Sequence, residues 1–146
     1  MEKQEFKIMI DGPREKVWQV LWNDASYREW TSVFAPGSWA KTDWQKGSEV
    51  LFLDAKNNGM ISTIAENVPN EYMSIEHLGY VKDGTEDRLS EEVKQWAGAH
   101  ENYTLKNVDG KTELVVDLDV ADDYKDHFRE IWPKALQKIK DIAEKN

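Results

Sequence analysis

Residues 127–140, HFREIWPKALQKIK, read as helix on both sides of a proline, and no other stretch narrows the fold as much. Plotted at about 100° per residue from Tyr124, the residues Tyr124, Phe128, Ile131, Trp132, Ala135, Leu136, Ile139, Ile142 and Ala143 fall within about 140°. Pro133 falls outside that stripe. A proline inside a helix removes one backbone donor, crowds the carbonyl four residues back and bends the axis. On the outer face water satisfies the freed carbonyl of Arg129, and the bend leaves the apolar face concave. The helix is therefore expected to wrap over a curved partner.

A strongly twisted antiparallel sheet supplies such a surface. "QEFKIMI" alternates Phe6, Ile8 and Ile10 against Glu5 and Lys7, as a half-buried strand does. Asp11-Gly12-Pro13 then leads into a short helix whose Val17, Val20 and Leu21 share a face. A second short helix is expected over "ASYREW", with Asp24 as its cap. Strands follow in "SWAKTDWQKGSEVLFLDA", with a turn at 45–47, and "KNNG" predicts a hairpin turn. "MISTIAENV" and "EYMSIEHLGY" join at Pro69-Asn70. Asp109-Gly110 closes the last hairpin, in which Leu114, Val116, Leu118 and Val120 share a face. The acidic stretch from Asp83 to Glu92 is less regular, with Ser90 capping a short helix that runs to Trp96 and stops at Gly98. The order predicts an α+β fold: a curved antiparallel sheet of six to seven strands wrapped on a long C-terminal helix, two short helices following the first strand. One domain over residues 1–146 suffices, since this length buries a sizeable core.

Composition excludes several functions. There is no cysteine, so disulfides, thiolate metal sites and cysteine nucleophiles are absent. The net charge of −9 disfavours nucleic acid, whose phosphates require clustered lysine and arginine. No run is apolar enough to insert in a membrane, and the N-terminus reads as a charged strand rather than a signal peptide, so the expected compartment is the cytoplasm. Seven tryptophans, by contrast, imply either a bulky core or the walls of a cavity.

A curved sheet gripping a long helix encloses space. Strand alternation directs Phe52, Met60, Ile75, His77, Tyr103 and Leu105 toward it, with Phe128, Trp132 and Leu136 above them and Trp30 and Trp39 at the end plugged by the short helices. These are the candidate ligand-binding residues; His77 and Tyr103 are the polar groups that would orient a ligand, with Ser62 a weaker one. The plain alternative is a filled core. No catalytic residue is assigned: there is no Ser-His-Asp pattern or nucleophile elbow, and Glu101, just before a strand, has no partner in the sequence. Asp117 and Asp119 fall on a solvated face. The three histidines lack metal-ligand spacing, and no glycine-rich phosphate loop appears, so neither a metal nor a cofactor is expected.

Several stretches, "GPREKVWQVLWNDASYREW", "GSWAKTDWQKGSEVLF", "WAGAHENYTL" and "HFREIWPKALQKIKDIAE", resemble the START-like (SRPBCC) superfamily of helix-grip proteins. Within it the chain is most similar to homologues of the C-terminal domain of the activator of heat-shock protein 90 ATPase. The likeness runs through nearly the whole chain. It implies a cavity between sheet and helix, suited to a lipid-like or polyketide-like molecule, and no shared catalytic motif. The partner expected is thus a small apolar ligand. A chaperone or other protein partner is the alternative, although 146 residues leave no room for the activator's separate N-terminal domain. A cyclase- or hydratase-type enzyme is the third possibility.

Overall fold

A computed structural model describes residues 1–145, with Asn146 lying outside them. Strand β1 (Glu2–Ile10) leads through Pro13 into helices α1 (Arg14–Trp22) and α2 (Asp24–Thr31). Strands β2 (Trp39–Lys41), β3 (Glu49–Leu53), β4 (Gly59–Val68), β5 (Tyr72–Lys82) and β6 (Thr85–Asp87) follow. Helix α3 (Glu91–Lys94) precedes β7 (His100–Val108) and β8 (Lys111–Val120), and a 3₁₀ turn (Asp122–Tyr124) opens helix α4 (Lys125–Ala143). The strands form one curved antiparallel sheet in the order β1-β8-β7-β5-β4-β3-β2, with β6 paired to β5 beside that path.

The sheet has eight strands rather than six or seven. The extra one is β6, formed where Asp83 and Gly84 (φ 52° and 79°) turn the chain back onto β5. Three residues are too few to display alternation, which is why the acidic stretch reads as irregular. Asp109 and Gly110, at φ 53° and 84°, form the left-handed pair that closes β7 onto β8. In "KNNG" it is Asn57 that takes the positive φ of 62°, while Gly59 is already the first residue of β4. That glycine is needed for a different reason: a Cβ there would collide with the Phe52 carbonyl across the ladder.

Helix boundaries follow local chemistry. Ser90 Oγ accepts from Val93 N–H at 3.2 Å and caps α3, which ends at Lys94, short of Trp96. Helix α2 begins one residue earlier than expected: Asn23 is its N-cap, and Asp24 sits inside the first turn, paired with Arg28 at 2.9 Å.

Helix α4 continues through Pro133, which is exposed, while Trp132, Ala135, Leu136, Ile139 and Ala143 are buried. Each large side chain on this stripe contributes about 1.5–3 kcal/mol by leaving water. Tyr124 departs from the predicted stripe: it is 50% exposed, because it lies in the 3₁₀ turn, where the 100° periodicity does not hold. Along its length α4 is tied to β1. Gln4 Nε2 donates to the Lys125 carbonyl at 2.9 Å, Arg129 pairs with Glu2 at 2.7 Å, and Lys140 Nζ donates to the Met9 carbonyl at 2.8 Å. Among the described residues no helix is long and apolar enough to cross a membrane.

Candidate functional site

Between the concave face of the sheet, α2 and α4 lies a cavity of about 640 Å³. From the strands Phe52, Met60, Ile75, His77 and Tyr103 line it; from the helices come Trp30, Phe128 and Trp132. Trp39 joins them at one side, its ring covered by the Arg28 guanidinium at 5.5 Å. Leu105 and Leu136 share the inward faces but do not reach the space. Both are buried where α1 packs between α4 and strands β7 and β8, so side chains fill that level.

Several wall residues lie outside the set that strand alternation and the α4 stripe predict. Trp22 and Tyr27, on α1 and α2, are buried and line the cavity. Tyr80 and Lys82 do so because of a bulge: Ile61 pairs with Gly79 but Ser62 with His77, leaving Leu78 unpaired. The bulge reverses the alternation, so Tyr80 and Lys82 follow His77 on the inner face. Trp96 and Glu92 bring the acidic stretch to the rim, and exposed Lys82, Glu92 and Tyr124 mark the opening. Asp119, assigned above to a solvated face, is half-buried among the lining residues and accepts from the His100 N–H at 3.0 Å.

A hydrogen-bonded polar cluster stands in this aromatic wall. Glu101 belongs to β7, two residues before Tyr103 and on the same face, and its Cα partner on β5 is Ile75. Its carboxylate accepts from the Tyr103 hydroxyl through Oε2 and contacts His77 Nε2 through Oε1 at 3.1 Å. Behind it, Ser62 Oγ lies 2.7 Å from His77 Nδ1. A neutral imidazole satisfies both contacts when Nε2–H donates to Glu101 and Nδ1 accepts from the Ser62 hydroxyl. Ser62, His77 and Glu101 thus form a serine–histidine–carboxylate chain of contacts, which no pattern in the sequence announces. Ser62 is 0% exposed behind the ring, so its oxygen cannot reach a substrate. The members that face the cavity are Glu101, His77 and Tyr103.

Charge is felt across this cluster. Burial, reinforced by the Glu101 charge, holds the Tyr27 and Tyr103 phenols well above the ordinary value, so both remain donors. The rings around them are in contact: Tyr103 meets Trp22 at 4.8 Å and Trp132 at 6.1 Å between centroids, and Tyr27 meets Trp30 at 5.5 Å. Among the described residues no cluster of three or more histidines and carboxylates is arranged to hold a metal ion.

A family model described as activator of Hsp90 ATPase homolog 1-like protein matches residues 11–144. Among solved structures, the Aha1 dimer of Colwellia psychrerythraea superposes with a TM-score of 0.72 at 19% identity, covering 99% of this chain and 97% of that one. A protein from Mesorhizobium loti gives 0.75 at 14% identity, with 97% and 96% covered. DynU16, from the dynemicin biosynthetic locus, gives 0.74 at 11% identity, covering 99% of this chain and 48% of that one. At these identities the likeness establishes the fold. No curated protein matches the sequence.

Proposed function

The chain belongs to the activator of Hsp90 ATPase homolog 1-like family, and from that premise we propose that it is a single-domain binding protein for a small apolar molecule, lipid-like or polyketide-like, held between the sheet and α4. One observation carries this reading: a space of about 640 Å³, within the range of small-molecule sites, with a wall rich in aromatic rings into which Glu101, Tyr103 and His77 are hydrogen-bonded together. The rings supply contact area, and Glu101, Tyr103 and His77 supply orientation. The acidic rim, with Glu92 and Trp96, would bound the entrance.

The neutral dye Nile red tests it. Titration is expected to give saturable one-to-one binding with an emission shift to the blue, and Met60→Trp, which enlarges a half-buried wall residue, is expected to weaken it. Absence of saturation, or binding indifferent to Met60→Trp, would sink the proposal and favour a protein-interaction role, with a chaperone among the partners.

A second reading, acid–base turnover of the bound molecule, is favoured by the carboxylate, imidazole and phenol meeting on one wall. It predicts that the molecule recovered after incubation is chemically altered, and that His77→Ala stops the alteration.

A further inference from the structure

The charged groups lining the cavity are unequal in sign: Asp54, Glu92, Glu101 and Asp119 stand against Lys82 alone, with no arginine. Lys82 is exposed at the opening, and Asp54 is engaged in its own turn, its Oδ1 accepting from Lys56 N–H at 2.8 Å. Glu101 and Asp119 are both half-buried, Asp119 accepting from the His100 N–H, and Glu101 is the one hydrogen-bonded into the aromatic wall. Its side chain is 20% exposed, and the one basic side chain within reach of it among the described residues is His77, whose imidazole meets it as the hydrogen-bonding Nε2–H described above. A carboxylate so placed repels a second anion, since little water stands between them to screen the charges.

Aromatic rings stand next to that carboxylate. Tyr103 donates to it and is itself packed edge-on against Trp22, 6.4 Å from Trp30 and 6.1 Å from Trp132. Tyr27, whose phenol is held well above its ordinary value by burial and then by the Glu101 charge, packs on Trp30. The negative faces of such rings attract a cation lodged among them, and a nearby carboxylate adds to the attraction. An apolar tail finds the remaining wall in Phe52, Met60 and Phe128.

Resting on the binding reading above, we propose that the cavity selects an apolar molecule carrying a cationic amine or quaternary ammonium head, placed at Glu101 among Trp22, Tyr27, Trp30 and Tyr103, and discriminates against carboxylate-headed lipids. The excess of negative charge along the lining, with Glu101 hydrogen-bonded into the aromatic wall, makes the head group, rather than the tail, the selective feature.

Calorimetric titration with three probes sharing a ten-carbon tail, below their aggregation concentrations, separates the possibilities: decyltrimethylammonium, decanol and decanoate. The ammonium is expected to bind about tenfold or more tighter than the alcohol, and decanoate more weakly than the alcohol. In Glu101→Gln the ammonium's advantage is expected to collapse. In Glu91→Gln, which removes the same unit of charge from an exposed position outside the cavity, the advantage is expected to persist. An ammonium no tighter than the alcohol, or decanoate as tight as the alcohol, overturns the head-group assignment while leaving an apolar binding protein standing. An advantage that survives Glu101→Gln shows that this carboxylate does not select the head group and overturns the assignment as well. If none of the three probes binds, the binding reading itself fails.

Discussion

Trp132→Ala is expected to lower the stability of this protein by about 3–5 kcal/mol, the range for deleting a buried indole from a packed core. Although Trp132 borders the cavity, only 3% of it is exposed. Phe34 lies 5.0 Å from its ring, Tyr103 6.1 Å, Phe6 6.2 Å and Trp30 6.3 Å. The residue thus joins β1, α2, β7 and α4 at one point. Its indole N–H is buried without a partner among the described residues, so no lost hydrogen bond enters the effect; it is packing throughout. Urea unfolding checks the value. Tyr124→Ala, half exposed one element earlier, is the contrast, with a change within about 0.5 kcal/mol. A loss below about 1 kcal/mol for Trp132→Ala would mean that α4 is not clamped to the sheet by this ring.

The second large effect separates two substitutions at one position. Glu101→Leu removes the acceptor of the Tyr103 hydroxyl and of His77 Nε2–H together. Each donor left unpaired out of water costs about 1–3 kcal/mol, so a combined loss of about 2–4 kcal/mol is expected. Glu101→Gln is expected to cost less than about 1 kcal/mol, because the histidine can change tautomer. The glutamine carbonyl then accepts from Tyr103, its amide donates to Nε2, and Nδ1–H donates to the Ser62 oxygen 2.7 Å away. Parallel urea denaturation of both variants checks the order. Equal losses would show that the wall cluster is held by shape alone.

The features that lie within one element were legible in the sequence. The apolar stripe of α4, the left-handed Asp109-Gly110 turn and the inward face of β8 all express a period or a turn preference, which a local stretch carries in full. The inward direction of Phe52, Ile75, His77 and Tyr103 followed from alternation, and these side chains do border the cavity. Alternation gives the face but not the depth along it, and so it groups Leu105 with them although Leu105 lies where α1 fills the space. Tyr80 and Lys82 were hidden by the bulge at Leu78, which depends on how β4 pairs with β5. Glu101 was hidden differently. Its partner His77 is 24 residues away, and only the pairing of β5 with β7 brings them together. The signal available was its two-residue spacing from Tyr103, which puts both side chains on one face.

The central claim is that a small apolar molecule occupies the space between the sheet and α4. Native mass spectrometry of the protein purified from its own host, followed by solvent extraction, tests it most directly. The account predicts a discrete added mass that passes into the organic phase as a molecule small enough for about 640 Å³, and that is reduced in Met60→Trp. A bare protein mass, unchanged by Met60→Trp and recovered under conditions gentle enough to keep known apolar complexes intact, would contradict it.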